Sequence, residues 1–185
     1  MKGRFREFPA AKAKATLVLG HGAGGTGTSP DLQALADELP AHGISVILHD
    51  QPWKLAGKKV AAAPPVLDAA WIEDLATLDV PFVVGGRSAG ARVACRTAAA
   101  VGAQGVVALA FPLHPPGKPE KSRVAELAVD VPLRVVQGER DPFGRPPEFP
   151  AGLDLVAVPG DHSLRKGIPE VVDAVRDFVL GITGG

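Results

Sequence analysis

The sequence predicts an α/β fold in which helices cover both faces of one mostly parallel β-sheet. Short apolar segments alternate along the chain with segments of helical periodicity, which is typical of right-handed βαβ units. The apolar segments are nearly continuous, as expected for strands that are buried on both faces. With 185 residues, of which 46% are hydrophobic and 22% charged, one sizeable core can form. We therefore expect a single domain over 1–185.

Six strands are predicted from apolar runs that are bounded by residues ending regular structure. In chain order they lie at 16–19, 44–48, 80–84, 105–110, 133–137 and 153–158. Roughly 15 residues precede the first of them, and at about 3.3 Å per residue they leave room for at most one edge strand. The N-terminal part of the sheet is therefore expected to be truncated.

Five helices are predicted from apolar residues at helical spacing. The first begins at Ser29, with Pro30 in its first turn, and ends at Leu39 before a segment that contains proline and glycine. The other helices lie at 66–78, 91–100, 122–129 and 169–180. Loops are expected at 49–57, 111–117 and 138–150.

The charge balance argues against nucleic acid and anionic membrane as partners. The formal net charge is zero and the sequence pI is about 7.0, so the chain lacks the basic excess that attracts phosphate backbones. No apolar run approaches the roughly 18 residues of a membrane span, and the first residues lack the apolar stretch of a signal peptide. We expect a cytoplasmic protein.

The chain has one cysteine, Cys95, so an intramolecular disulfide is impossible and no thiolate metal site has the required spacing. Its position two helical turns after Ser88 predicts a small hydrophobic side chain in the core.

The pentapeptide Gly86-Arg87-Ser88-Ala89-Gly90 lies between a predicted strand and a predicted helix. A serine in this context sits at the apex of a tight turn, where its backbone is strained and its Oγ is exposed. Small residues are needed two positions to either side, because larger side chains would collide with the turn. We therefore predict that Ser88 is a nucleophile. The alternative is an ordinary turn serine or a helix cap.

A serine needs an adjacent base to become nucleophilic, and His162 is the candidate. It follows the last predicted strand and precedes the last helix, at the edge of the sheet where sites form in open α/β folds. The alternative is a surface histidine. The remaining histidines fit less well by position. His21 is in a glycine loop and His42 is at a helix end. His49 precedes the serine in the chain, and His114 comes directly after the strand that follows the serine.

Asp141 is the candidate acid that would orient His162. It follows the penultimate strand and would accept a hydrogen bond from the histidine Nδ1–H, which fixes the tautomer and stabilises the imidazolium. Glu139 is the second candidate. Asp161 is disfavoured, because neighbouring side chains in an extended loop diverge. The structural alternative for Asp141 is a salt bridge to a nearby arginine.

The segment His21-Gly22-Ala23-Gly24-Gly25 follows the first predicted buried strand. Such a loop can supply one backbone N–H of an oxyanion hole, opposite the N–H of Ala89. Ala23 is the preferred donor and Gly24 the next. A phosphate-binding loop is the competing hypothesis, but the chain has no G-x-x-x-x-G-K-[ST] pattern, and Asp50 comes late for a ribose-binding acid.

The chain resembles small, lidless α/β-hydrolases of the dienelactone-hydrolase-like group. More narrowly, it is similar to bacterial relatives of the testis-expressed hydrolase-like proteins and of the α/β-hydrolase region of a chromatin-complex subunit. The order Ser, Asp, His is also that of α/β-hydrolases. The matching segments cover nearly the whole chain in order: His21–Gly24, Pro64–Leu67, Gly85–Arg92, Phe111–Glu120, Gln137–Phe143 and Asp161–Leu164.

This resemblance implies a Ser88–Asp141–His162 triad that hydrolyses its substrate without a cofactor. Dienelactone hydrolases proper use cysteine as nucleophile, so their substrate is not implied here. Ala89 and Ala91 stand where the group often has Met and Gly, which alters the shape of the pocket and leaves the chemistry intact.

The segment between 110 and 133 has room for a loop and one short helix, not for a lid, so an open and shallow site is expected. The predicted pocket walls are Leu113, Phe143 and Leu164, with Trp53 as a weaker candidate. No metal is expected.

The leading hypothesis is a serine hydrolase of carboxylic esters or thioesters that acts on a small molecule. Two alternatives stay open: cofactor-free perhydrolysis at the same site, and a non-catalytic interaction domain with a hydrolase fold. An intact Ser, Asp and His set argues against the second alternative. The oligomeric state, the natural substrate and the acyl chain length do not follow from the sequence.

Overall fold

The computed structural model describes residues 2–24 and 28–184, which form a seven-stranded sheet in the order β1-β3-β2-β4-β5-β6-β7. The strands are β1 Arg4–Phe8, β2 Ala15–Gly20, β3 Ile44–Asp50, β4 Val83–Arg87, β5 Val106–Leu109, β6 Leu133–Gly138 and β7 Leu155–Val158. Strands β2 to β7 pair in parallel, and β1 pairs antiparallel with β3. The predicted α/β fold with a mostly parallel sheet and a truncated N-terminal part is confirmed.

The described residues contain five α-helices, of which the last follows strand β7. They are α1 Pro30–Glu38, α2 Pro52–Leu55, α3 Pro64–Leu75, α4 Ala89–Thr97 and α5 Ile168–Thr183. Each of the helices α1, α2, α3 and α5 has proline in its first turn, where the missing N–H costs nothing and the fixed φ favours the helix. Among the described residues, no helix is long and apolar enough to cross a membrane.

Two hydrophobic layers lie on opposite faces of the sheet. Helices α1 and α5 pack over one layer, which contains Leu32, Leu35 and Val175. Helices α3 and α4 pack over the other, which contains Trp71 and Val93. Cys95 is buried in this second layer, as predicted for a small core residue, and burial raises the pKa of its thiol to about 12.

Several boundaries differ from the sequence-based expectations. The loop expected at 49–57 contains the one-turn helix α2, which begins at Pro52. The helix expected at 122–129 is instead a short 3₁₀ turn, Val124–Leu127, preceded by another at Pro119–Lys121. Strand β4 begins later than expected, at Val83. These segments are too short for apolar periodicity to identify them.

The connections at the carboxyl edge of the sheet determine the shape of any site there. The β5–β6 connection contains only the two 3₁₀ turns, so no inserted lid covers this edge within the described residues, as expected. Gly25, the last residue of the predicted glycine loop, lies outside the described residues.

Candidate active site

Ser88 lies in a strained strand-to-helix turn between β4 and α4. Its φ is 53° and its ψ is −110°, a conformation that a non-glycine residue adopts only when the surrounding structure imposes it. A Cβ at Gly86 would lie 2.6 Å from the Gly20 carbonyl oxygen, and a Cβ at Gly90 would collide with the same carbonyl. Both glycines are therefore required by the close approach of β2 to the turn.

Two short hydrogen bonds connect Ser88, His162 and Asp141. Ser88 Oγ lies 3.0 Å from His162 Nε2, and His162 Nδ1 lies 2.8 Å from Asp141 Oδ2. Because Asp141 can only accept, Nδ1–H donates to it and Nε2 is left to accept from the serine hydroxyl. The three residues come from the turns after β4, β6 and β7, which meet at the carboxyl edge of the sheet.

Asp141 is fully buried, and three groups donate to its carboxylate. Gln137 Nε2 donates to Oδ2 at 2.9 Å, the Phe143 N–H donates to Oδ1 at 2.8 Å, and His162 supplies the third bond. Gln137 is held in turn by the backbone of Phe111: its Oε1 accepts from the Phe111 N–H, and its Nε2 donates to the Phe111 carbonyl. A buried carboxylate is tolerated only when it is satisfied in this way.

The other carboxylates that the sequence offered do not bond to His162. Asp161 Oδ1 accepts from the Ser163 hydroxyl at 2.6 Å. Glu139 is exposed and has no hydrogen bond to His162. The structural alternative for Asp141, a salt bridge to Arg140 or Arg145, is not formed: the ion pair of Asp141 is with His162, and Arg145 pairs with Glu148 at 2.9 Å.

Two backbone groups that the sequence proposes as oxyanion donors lie in the loops around Ser88. Ala89 is the first residue of α4, so its N–H has no partner within the helix. Ala23 is exposed in the loop after β2, and a Cβ at its neighbour Gly22 would lie 3.6 Å from Ser88 Cβ.

His21 fixes the start of the Ala23 loop. Its Nδ1 bonds to the Gly22 carbonyl at 2.8 Å, and its Nε2 accepts from the Gln51 N–H at 3.0 Å. These bonds require the neutral ring with hydrogen on Nδ1. Burial lowers the pKa of His21 to about 4, in agreement with that assignment.

A family model described as an alpha/beta hydrolase domain matches residues 13–167. The chain belongs to this family. The match spans the Ala23 loop, the serine turn, Asp141 and His162. No curated protein sequence matches the chain significantly.

Solved structures of distant sequence share the hydrolase fold. Dienelactone hydrolase from Anabaena variabilis aligns with a TM-score of 0.75 at 18% identity, covering 98% of this chain and 92% of that one. Est1E from Butyrivibrio proteoclasticus, solved with ferulic acid bound, aligns with a TM-score of 0.74 at 16% identity, covering 99% of this chain and 96% of that one. XC6422 from Xanthomonas campestris, described as a serine hydrolase without lid, aligns with a TM-score of 0.71 at 19% identity, covering 98% of this chain and 88% of that one.

The three predicted pocket residues lie in different environments. The Phe143 ring packs on the His162 ring with centroids 4.3 Å apart, so it borders the site directly. Leu113 is buried in the α3–α4 layer. Leu164 is 0% exposed and belongs to the α1–α5 layer, where it anchors the His162 loop and offers no surface to a substrate.

A small apolar cavity opens beside Ala89, on the α3–α4 side of the serine turn. Its volume is about 10 Å³, which is close to the space that one water-sized group occupies. Trp53, the weaker pocket candidate, lines it. Trp71, Leu67 and Val93 are among its other lining residues.

Sequence reasoning missed three groups at or near the site. Gln137 could have been noticed as a polar residue at the end of an apolar strand. Arg87 gave no indication beyond its place next to Ser88. The buried pair of His49 and Asp74, 2.8 Å apart, connects residues 25 positions apart, which spacing alone does not bring together. Among the described residues, no group of His, Cys, Asp and Glu could hold a metal ion.

Proposed function

We propose that this protein is a serine hydrolase of carboxylic esters or thioesters, with Ser88 as nucleophile, His162 as base and Asp141 as the acid that orients it. The observation that carries the proposal is the continuous set of hydrogen bonds from Ser88 Oγ through His162 to buried Asp141, combined with the strained φ of Ser88. A turn serine without a catalytic role would require neither feature.

The first half of the proposed reaction forms an acyl-enzyme. Ser88 Oγ attacks the carbonyl carbon as its proton passes to His162 Nε2, and Asp141 stabilises the imidazolium. The N–H groups of Ala23 and Ala89 donate to the oxyanion of the tetrahedral intermediate. The bond to the alcohol or thiol then breaks, and Nε2 returns its proton to the leaving group.

The second half releases the acid. A water molecule gives a proton to Nε2 as its oxygen attacks the acyl carbon, and the bond to Ser88 Oγ breaks as Oγ recovers the proton. The open edge of the sheet lets water reach the acyl-enzyme. The two half-reactions therefore need only the chain's own residues, the substrate and water to account for every bond and proton.

The cavity beside Ala89 supports a preference for short acyl groups. It adjoins Ala89, one of the two proposed oxyanion donors, and is lined mainly by apolar side chains, and its volume of about 10 Å³ holds little more than a methyl group. Phe143 covers the ring of His162 and is the second wall that we propose. Leu113 is buried in the same layer as the cavity, whereas Leu164 lies in the opposite layer and is not proposed as a wall.

Labelling with a fluorophosphonate probe tests the proposal, with mass spectrometry to locate the modified residue. We expect stoichiometric labelling of Ser88, which Ser88→Ala abolishes. Ser163→Ala is a matched control, because Ser163 adjoins His162 but its hydroxyl bonds to Asp161, and it should label normally. Absence of labelling in the folded wild-type protein, together with no turnover of p-nitrophenyl acetate, would favour the non-catalytic interaction domain.

A further inference from the structure

We propose that Arg87 is a positioning residue that fixes the His162 loop relative to Ser88, and that buried Asp31 holds Arg87 in place for this purpose. The inference rests on the proposed function, because it assigns Arg87 a role in presenting the base to the nucleophile. Arg87 directly precedes Ser88 in the Gly86–Gly90 turn.

The Arg87 guanidinium connects two loops that carry functional groups. Its Nη2 donates to the backbone carbonyl oxygen of His162 at 2.7 Å. Its Nη1 lies 3.3 Å from the position that a Cβ of Gly22 would occupy, and Ser88 Cβ lies 3.6 Å from the same position. The guanidinium therefore packs between the His162 loop and the Ala23 loop, directly beside Ser88.

Asp31 anchors the guanidinium from the other side. It lies in the first turn of α1, is 0% exposed, and its Oδ2 lies 3.3 Å from Arg87 Nε. Among the described residues, neither carboxylate oxygen has a hydrogen-bond partner, and Arg87 is the only ion-pair partner. A buried carboxylate with a single partner is costly, so its presence here is best explained by what it does to Arg87.

The His162 loop holds one strained residue, so its conformation depends on contacts from the surrounding structure. Leu164 has φ 55°, in the left-handed region that residues other than glycine seldom adopt. A charge-assisted bond from a planar guanidinium, whose donors have a fixed geometry, restrains the carbonyl more tightly than a neutral or flexible donor. Small displacements of His162 would lengthen its bond to Ser88.

The test removes both charges together, so that no buried charge is left unpaired. We compare Arg87→Met/Asp31→Leu with the matched control Arg92→Met/Glu126→Leu. Arg92 lies four residues after Ser88 and is about as exposed as Arg87, 21% against 18%, and it pairs with Glu126 through two bonds of 2.8 and 2.6 Å. Only the first pair touches the His162 loop.

We expect kcat for p-nitrophenyl acetate to fall about 10- to 100-fold in Arg87→Met/Asp31→Leu with KM unchanged, as for a small misplacement of a catalytic group. The control should keep kcat within about threefold, since Arg92 and Glu126 bond to each other and Glu126 also bonds to Arg96, but neither bonds to the His162 loop. Equal kcat in the two folded double variants would overturn the inference. Should the first double variant fail to fold, Asp31→Asn, which keeps the arginine, must still lower kcat at unchanged KM, and an unchanged kcat would have the same meaning.

Hydrogen exchange separates this inference from the proposed function. If the wild-type protein is neither labelled nor active, the exchange rates of the amides at 161–165 still decide the role of Arg87. Faster exchange there in Arg87→Met/Asp31→Leu, but not in the control, supports the positioning role. Unchanged exchange in both variants contradicts it.

Discussion

Two histidine–aspartate pairs with hydrogen bonds of equal length stand in different surroundings. His162 Nδ1 and Asp141 Oδ2 are 2.8 Å apart, and so are His49 Nε2 and Asp74 Oδ2. The His162 ring is 19% exposed, and its second nitrogen meets Ser88 Oγ. The His49 ring is 0% exposed, and its second nitrogen has no partner among the described residues.

The difference shows that a histidine–aspartate pair does not by itself make a base. His49 lies between the rings of Phe5 and Trp71, with centroids 5.4 and 5.1 Å away, so neither a nucleophile nor solvent reaches it. Asp74 also accepts from the Gly3 N–H at 2.9 Å, which ties the start of β1 to α3. We infer that this pair is structural, whereas the proposed role of His162 depends on access and on Ser88.

Removing the nucleophile should have the largest effect. We expect Ser88→Ala to lower kcat/KM for p-nitrophenyl acetate by at least about 10⁴-fold, leaving only what binding and the oxyanion donors contribute. Initial rates, corrected for spontaneous hydrolysis, measure it. His49→Gln is the comparison, with an expected change in kcat/KM below about threefold provided that the protein is folded. Near-normal activity in Ser88→Ala would remove the proposed mechanism.

Exchanging each aspartate for asparagine compares the two pairs directly. We expect Asp141→Asn to lower kcat about 10³- to 10⁴-fold, because an asparagine amide favours the wrong tautomer of His162. Asp74→Asn should leave kcat nearly unchanged and lower the free energy of unfolding by about 1–3 kcal/mol, the cost of weakening a buried hydrogen bond. Steady-state kinetics and urea unfolding of both variants check this. A large loss of kcat in Asp74→Asn would contradict the structural role of the second pair.

The pH dependence of stability tests the buried pair in another way. Burial is the main cause that lowers the pKa of His49, and the bond to Asp74 opposes it. At His49 the folded state then binds fewer protons than the unfolded state. The contribution of neutral His49 to the free energy of unfolding is therefore fully present above about pH 6.5 and is lost as the pH falls below it. The midpoint of thermal unfolding between pH 7.5 and 5.5 should decrease less steeply in His49→Gln than in the wild type.

His21 and His114 provide the controls for this experiment. Burial lowers the pKa of His21 to about 4, so its contribution to stability is lost on acidification, as is that of His49. The carbonyl of Pro115 and the carboxylate of Glu148 raise the pKa of His114, so its contribution is present below pH 6.5 and is lost as the pH rises through the raised value. His114→Gln should therefore make the loss on acidification steeper, and a shallower curve would contradict the assignment.

The sequence predicted those parts of the site that depend on position along the chain. Each of Ser88, Asp141 and His162 follows a strand, and parallel strands bring their carboxyl ends to one edge. The serine turn between β4 and α4 also requires small residues, and Gly86 and Gly90 meet that requirement. The fold class followed from the same alternation of strands and helices.

What could not be predicted depends on contacts between side chains that are distant in sequence. The bond from Arg87 to the His162 carbonyl spans 75 positions, and the pairing of His49 with Asp74 depends on how α3 packs on β3. Leu164 adjoins His162, but its positive φ accompanies a side chain buried in the core instead of the pocket. Helix α2 has only four residues, too few for periodicity.

The preference for acyl chain length should show the smallest effect, and it depends on Trp71. This residue packs edge-on against His49 and also lines the cavity beside Ala89, so the buried His49–Asp74 pair supports the wall that limits the acyl group. A chain that cannot enter the cavity gains none of the roughly 0.8 kcal/mol per buried methylene. Among p-nitrophenyl esters from acetate to palmitate, kcat/KM should therefore stop rising at about two or three carbons, because a cavity of about 10 Å³ holds little more than a methyl group. Trp71→Leu should move the maximum to longer chains, whereas Val80→Ala, at an exposed position outside the cavity lining, should not. A wild-type maximum at eight carbons or more would mean that the acyl group lies elsewhere and that Trp71 does not set its length.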